Sequence, residues 1–338
     1  MIGVGVIGYG YWGPNLARNF AENVGARLVA IADRHEARRA LATRRHPLAA
    51  ILSDGLELIA RTDVDAVIVA TPVRSHFDLT MAALQAGKHV LVEKPLADSS
   101  DKATGLASEA RARGLTLLVD HTFIYTGAVG CIREMARSGE LGDLYYYDST
   151  RINLGLFQPD VSVLWDLAVH DLSIMDDVLG QHPTAVSAHG ISHVEGHPVN
   201  LAYLTLRFPG RLIAHLHVNW LAPVKIRQTL IGGSKRMIVY DDLEASEKVR
   251  VYDKGITLKD AEDGASIYKM VAYRRTGDMI APRLNMTEAL EVEAEHFLRC
   301  IRGEEAPRSG GDQGVRLVRI LEAAEQSLRE DGRWVSLV

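Results

Sequence analysis

Four clusters of residues in this chain have the types and spacing to do chemistry. The first is Gly8-Tyr9-Gly10-Tyr11-Trp12-Gly13, which follows the apolar run Gly3 to Ile7 and opens into a helical segment containing Pro14. In that context the first glycine permits a tight turn and the second lets backbone approach a pyrophosphate. The third allows helix and strand to pack closely. The unpaired N–H groups of the helix start, with Tyr11 and Trp12 beside them, would face the phosphates. Twenty residues after Gly13, at the end of the second apolar run, stands Asp33. A carboxylate there accepts hydrogen bonds from ribose hydroxyls and repels a 2′-phosphate, so NAD is expected in preference to NADP. Arg34 works the other way, since a guanidinium can stack on adenine or pair with that phosphate. The bland alternative is a glycine turn followed by a solvated aspartate.

The second and third clusters follow two further apolar runs: Thr71-Pro72 with Ser75 and His76, and Glu93-Lys94-Pro95. In a parallel sheet, loops at the carboxyl ends of strands are where ligands bind, so Thr71, Pro72, His76, Glu93 and Lys94 are candidate cofactor contacts. Lys94 is also a candidate to hold and polarise a substrate hydroxyl, although a surface Lys beside a Glu is commonly a solvated ion pair. The fourth cluster is Trp165-Asp166-Leu167-Ala168-Val169-His170-Asp171. Asp166 and His170 are four apart on a helix, about one turn from each other. A hydroxyl being oxidised must lose its proton as the hydride leaves, and an imidazole with a pKa near 6.5 suits that task. Negative charge in a first helical turn is favoured anyway, so helix-end electrostatics remains open as the rival reading of Asp166.

These clusters need a frame. Short apolar runs at Gly3–Ile7, Arg27–Ala32, Ala66–Ala70, His89–Val92 and Thr116–Val119, with helical stretches such as 14–22 and 77–86 between them, predict a parallel sheet with crossover helices. After about residue 120 the pattern changes. Helical segments at 129–137 and 165–179 precede strand-like runs at 184–190, 201–208, 211–220, 225–231 and 236–241, joined by Pro209-Gly210 and Gly232-Gly233. Such connections predict a wide, mostly antiparallel sheet. From 211 to 220, Leu212, Ala214, Leu216, Val218 and Trp220 alternate with His215, His217 and Asn219. Leu290, Ala294, Phe297, Leu298 and Ile301 form one helical stripe, and Val318, Leu321, Ala324 and Leu328 another. The expected fold is α/β: an N-terminal Rossmann doubly wound sheet over 1–120, then an α+β domain over 121–338. Its C-terminal helix is a candidate to pack back on the first domain.

Composition narrows the function. With 38 Lys plus Arg against 43 Asp plus Glu, the net charge is −5 and the broad electrostatic attraction of a nucleic-acid or anionic-membrane binder is absent. No apolar stretch nears the roughly 18 residues of a membrane span, and no leader segment precedes the first strand, so a cytoplasmic protein is expected. The two cysteines, Cys131 and Cys300, are read as buried reduced thiols. His215 and His217 share a strand face, but no third ligand matches them, so no metal site is expected and a polar sheet face or subunit contact is the reading. Tyr145-Tyr146-Tyr147 is read as strand.

Taken in order, GYGYWG, ADR, ATPVRSH, VEKPLA and WDLAVHD resemble the Gfo/Idh/MocA family of nicotinamide-dependent sugar and cyclitol oxidoreductases, over nearly the whole chain. The resemblance implies a substrate and oligomerisation domain whose open sheet face mediates homodimers or homotetramers. It also implies that Lys94, Asp166 and His170 match the family's catalytic lysine, aspartate and histidine, with His170 as acid/base. The stretch ELGDLYYYDSTRINLG and Trp165 are most similar to the nucleotide-sugar 3-dehydrogenase branch, which makes Arg151, Asn153 and Trp165 candidate substrate contacts beside Lys94 and His170. Many relatives carry a Gly-Gly pair ahead of the catalytic Asp where this chain has Val161 to Leu164, and the loop from Leu154 to Leu164 is expected to shape the substrate pocket. Two rival functions keep the same fold: NAD held tightly as a recycled redox aid in sugar modification, and a non-catalytic dinucleotide sensor. The presence of Lys94, Asp166 and His170 together argues against the sensor.

Overall fold

The computed structural model describes residues 1–155, 161–257, 273–275 and 277–337. In chain order its elements begin β1 (Ile2–Ile7), α1 (Gly13–Glu22), β2 (Ala26–Ala32), α2 (Glu36–Arg45), β3 (Ala50–Leu52), α3 (Gly55–Ile59), β4 (Ala66–Val69), α4 (His76–Gln85), β5 (His89–Glu93), α5 (Ser100–Arg113) and β6 (Leu117–Asp120). They continue with α6 (Gly127–Arg137), β7 (Leu144–Leu154), a π-helical turn (Leu164–Ala168), α7 (Val169–Leu179), β8 (Ala185–Ile191), β9 (Leu201–Arg207), β10 (Ile213–Asn219), β11 (Leu221–Gly233) and β12 (Met237–Asp241). Next come β13 (Val249–Tyr252), β14 (Gly255–Thr257), β15 (Tyr273–Arg275), β16 (Met279–Ile280), α8 (Ala289–Ile301), α9 (Gly311–Arg329) and β17 (Val335–Ser336).

The chain forms two compact units, Met1–Thr126 with Met286–Glu322, and Gly127–Asn285 with Ala323–Val338. The first is built on a six-stranded parallel sheet in the order β3-β2-β1-β4-β5-β6. Chain direction across the sheet reverses between β1 and β4, and a crevice opens at the carboxyl ends of strands at such a point. Val4, Val6, Val67, Ile68, Val90 and Leu91 are wholly buried, as strands covered on both faces require. The edge strand β3 escapes the periodicity argument because it has three half-buried residues, too few to show a pattern.

Residues 286–322 group with the first unit, whereas the sequence pattern placed 121–338 in the second with only the C-terminal helix as a candidate to pack back on the first. The cause lies in the α8 stripe. Phe297 meets Phe20 of α1 edge-on with ring centroids 6.2 Å apart, and Arg18 on α1 pairs with Glu288 at 2.6 Å. Both rings are fully buried, and burying a phenylalanine contributes roughly 1.5–3 kcal/mol.

The second unit carries a nine-stranded sheet, β16-β13-β12-β11-β7-β10-β9-β8-β17, antiparallel at every pairing except β7 with β10. β11 starts earlier than its apolar pattern indicates and includes Pro223. The register with β7 shifts between Leu221 and Ile226, and a bulge of that kind is where a strand tolerates proline. Along β10 the expected alternation holds: Ala214, Leu216 and Val218 are buried while His215, His217 and Asn219 are half-exposed on the other face. β14 and β15 form a separate antiparallel pair.

Candidate functional site

In the first unit the glycine turn sits where β1 hands over to α1. Gly8 has φ +95°, and a Cβ there would stand 2.4 Å from the Ala70 carbonyl oxygen. A Cβ on Gly13 would stand 2.0 Å from the Gly8 carbonyl oxygen. Gly10 differs: a Cβ there would meet only the Arg38 guanidinium, at 3.5 Å. Two glycines therefore close the turn, and the third keeps an open approach to the backbone, as a phosphate-binding loop requires. α1 starts at Gly13 with a proline in its first turn and no side-chain cap, so its N-terminal dipole end is available to an anion. Tyr11 and Trp12 are exposed beside it, packed edge-on at 5.2 Å.

Asp33 ties the glycine turn to the loop after β2. One carboxylate oxygen accepts from Tyr9 N–H at 2.7 Å and the other from His35 N–H at 2.8 Å. A carboxylate offers about four acceptor positions, so capacity remains for ribose hydroxyls. Arg38 stands 3.6 Å from the Asp33 carboxylate and over Gly10, a position the sequence reading missed. Arg38 lies in the first turn of α2, four residues after the exposed Arg34 of the preceding loop.

The loops after β4 and β5 are joined by His76. Its Nδ1 lies 2.8 Å from the Pro95 carbonyl oxygen and its Nε2 2.7 Å from that of Thr71. Burial lowers its pKa, while the two carbonyl contacts pull the other way and only partly offset it. The ring is 1% exposed, so the structure makes His76 a brace between the Thr71-Pro72 and Glu93-Lys94-Pro95 loops. Ser75 adds a hydroxyl donated to Thr71 Oγ1 at 2.8 Å. Glu93 closes β5 and accepts the Lys94 N–H at 3.2 Å.

In the second unit Asp166 lies within the π-helical turn and His170 in the first turn of α7; both are half-exposed. The wider turn closes on Val169 N–H donating to Leu164 O, and such turns recur at functional sites because they re-aim side chains. Trp165 donates its indole N–H to Glu325 at 2.7 Å, which fixes the ring's polar edge. Asn153 is half-buried on β7. Residues 156–160 of the Leu154–Leu164 loop lie outside the described residues.

Arg151 has a different surrounding from the one its sequence role implies. Its Nε and Nη2 donate to the Asp171 carboxylate at 2.9 to 3.1 Å, with both side chains buried. Burial works against the guanidinium charge, and Asp171 outweighs it, so the Arg151 pKa stands above its ordinary value. Tyr147 donates its hydroxyl to the Asp171 carbonyl at 3.3 Å. These contacts anchor the start of α7, next to His170, onto the central strand β7. The sequence could not show this, because an Arg on a strand reads alike whether it faces a ligand or a buried helix.

Tyr203 stacks on His217 at 4.4 Å and on His215 at 6.1 Å on the exposed sheet face. Among the described residues no group of three His, Cys, Asp or Glu could hold a metal ion, and no helix is long and apolar enough to cross a membrane. Cys300 is buried, with its thiol pushed up to about 11 by burial, and Cys131 is half-buried.

Comparison with known proteins bears on this arrangement. A GFO/IDH/MocA family model described as "Oxidoreductase family, NAD-binding Rossmann fold" matches residues 2–121, and the GFO/IDH/MocA C-terminal domain matches 131–239. The chain is 28% identical over 326 residues to UDP-N-acetylglucosamine 3-dehydrogenase of Acidithiobacillus ferrooxidans, covering 95% of each protein. It is 28% identical over 191 residues to scyllo-inositol 2-dehydrogenase (NAD(+)) of Bacillus subtilis, covering 55% of this chain and 56% of that one. The solved structure of GenD2 from gentamicin A biosynthesis in complex with NAD shares the fold, with TM-score 0.81 at 24% identity over 99% of this chain and 96% of that one. The chain belongs to the GFO/IDH/MocA family of oxidoreductases and carries its NAD-binding Rossmann domain.

Proposed function

We propose that the protein is an NAD-dependent dehydrogenase that moves a hydride between nicotinamide and a secondary alcohol of a sugar or cyclitol, with a nucleotide-linked pyranose as the preferred substrate class. The observation that carries the reading is the glycine turn, closed at Gly8 and Gly13 and open at Gly10, with Asp33 held at its side. Bound NAD supplies the hydride acceptor. Tyr11, Trp12, Arg34, Arg38, Thr71 and Pro72 are the further candidates to line the cofactor, and His76 and Glu93 hold the loops that present them.

Lys94 holds the substrate hydroxyl and supports charge developing on its oxygen. His170 takes the hydroxyl proton, and Asp166 favours the charged imidazole. Trp165 and Asn153 are candidate substrate contacts, whereas Arg151 supports His170 from beneath through Asp171. Nucleotide linkage is favoured by the length of the similarity to the UDP-N-acetylglucosamine enzyme. A homodimer or homotetramer would form through the sheet face bearing Tyr203, His215 and His217, and a cytoplasmic location fits the mild acidity of the chain.

The test is single-turnover hydride transfer in His170→Ala and Lys94→Ala variants. A loss of at least a hundredfold in each is expected; normal transfer in either removes that residue from the chemistry. Thermal shift with NAD, NADP and a panel of nucleotide sugars and cyclitols identifies the ligands, because binding to the folded state raises the melting temperature. Equal stabilisation by NADP overturns the Asp33 argument.

A further inference from the structure

Two tryptophans of the second unit have opposite surroundings. Trp220, between β10 and β11, is packed to 2% exposure, as a core residue is. Trp165 is half-exposed, yet its indole N–H donates to the Glu325 carboxyl of α9 at 2.7 Å, across 160 residues of chain. An indole has a single N–H donor and no acceptor, so this bond leaves the ring with apolar surface alone to offer a ligand.

The bond joins two anchored pieces of backbone. The π-helical turn carrying Trp165 is held ahead of it by Val163 N–H donating to Val199 O at 2.9 Å, and by Asp166 N–H donating to Ser162 O at 3.1 Å. Beyond it, the Arg151 and Asp171 pair holds the start of α7. On the other side, Ser327 of α9 is fully buried, accepts the Ala188 N–H of β8 at 2.9 Å and donates to Arg333 O at 2.6 Å. Glu325 stands two residues before that anchor, and all of these groups lie in the second unit. Trp220 needs no such device, because packing on every side already fixes its ring. Trp165 has no packing on its open side, and a bond from the rigid frame takes its place.

We propose that Glu325 is a positioning residue for the substrate, holding the Trp165 ring as a fixed apolar platform for the C–H face of a pyranose or cyclitol ring. The inference rests on the reading of Trp165 as a substrate contact and deepens it. A six-membered ring with mostly equatorial hydroxyls carries its polar groups around the rim, and its axial C–H bonds form an apolar face that fits against an aromatic ring. Trp165 stands directly before Asp166 and five residues before His170, so the platform belongs to the same turn as the candidate proton-transfer pair. His170 then takes the proton of one hydroxyl while Trp165 sets the plane of the sugar. Binding to a ring already held needs less ordering than binding to one free to turn. That gain is equal for bound substrate and transition state, so it acts on KM and leaves kcat alone.

The test is steady-state kinetics of the whole protein with NAD and the panel sugar that gives the largest thermal shift, UDP-N-acetylglucosamine being the first probe. Glu325→Leu, which has no acceptor, should raise KM for the sugar roughly three- to tenfold, the effect of leaving one large side chain to be ordered on binding. Its kcat and its Kd for NADH should stay within twofold of wild type. Glu325→Gln keeps an acceptor oxygen and should return KM to within twofold; if Glu325→Leu does not fold, Glu325→Ala takes its place. Trp165→Phe keeps a ring but loses the N–H, so adding Glu325→Leu to it should change KM by less than twofold. In NMR spectra of the indole N–H groups, the Trp165 signal, identified by its loss in Trp165→Phe, should move upfield in Glu325→Leu. A sugar KM in Glu325→Leu within twofold of wild type, while Trp165→Ala raises it, overturns the proposal alone. An unmoved indole signal does the same, as does a full further rise in KM when Glu325→Leu is added to Trp165→Phe. Unchanged KM in Trp165→Ala overturns Trp165 as a substrate contact, and absence of turnover with every panel sugar overturns the proposed function; the proposal falls with either.

Discussion

Replacing Arg151 by methionine separates two roles that the same residue could have. In the structure its guanidinium and the Asp171 carboxylate are 5% and 3% exposed and bonded through two donor nitrogens. Methionine retains the apolar stem and leaves a buried carboxylate without its counter-charge. Breaking a buried pair from one side costs about 3–5 kcal/mol, or roughly a hundred- to several-thousandfold in the folding equilibrium. Urea denaturation at pH 7 followed by circular dichroism reads this as a lower midpoint at similar slope. The companion Arg151→Met/Asp171→Leu double variant removes both charges, and its stability should return to within about 1 kcal/mol of wild type or exceed it. Catalysis in the double variant reports whether α7 still presents His170 correctly. A stability loss below about 1 kcal/mol in Arg151→Met, with a raised KM for the sugar, would refute the anchoring argument and restore Arg151 as a substrate contact.

Gly10→Ala and Gly13→Ala should differ in kind: the first meets only a flexible arginine and should keep its melting temperature while weakening NADH binding, measured by fluorescence titration. The second drives a Cβ into the Gly8 carbonyl and should lower both stability and binding, so equal thermal stability of the two variants contradicts the geometry. Glu293 also makes a stability prediction with a definite sign. Burial pushes its carboxyl well above the usual carboxylate range, so its contribution is fully present at and below that range and is lost as pH rises toward the folded value. Glu293→Gln should therefore become more stable than wild type as pH rises above the usual carboxylate range, in denaturant titrations at a series of pH values. Cys300, with its thiol near 11, should resist iodoacetamide at pH 7 in the native protein, and rapid labelling by mass spectrometry would contradict its burial.

Much of the first unit can be read from local sequence because local rules govern it. A buried parallel strand must be apolar on both faces, and a phosphate-binding turn needs glycine where φ is positive or backbones nearly touch, so Gly8, Gly10, Gly13 and Asp33 declare themselves. The β10 alternation is equally local, since strand period and burial coincide there. What escaped the sequence depends on partners distant in the chain. α8 sorts with the first unit because Phe297 finds Phe20, and Arg151 turns from a presumed ligand contact into an anchor because Asp171 lies on the helix packed against its strand. His76 becomes a brace only when the Thr71 and Pro95 carbonyls converge on its ring. Glu93 and Glu293 read separately as ordinary acids; only tertiary structure buries both, and that burial, with the nearby Asp120 charge, pushes their carboxyls well above the usual range. The sequence by itself determined the two-part architecture, the dinucleotide turn and the candidates Lys94, Asp166 and His170, because each is a matter of residue type at short spacing. Tertiary structure decided which charged groups serve the fold and which remain for a ligand, because that depends on what is buried against what.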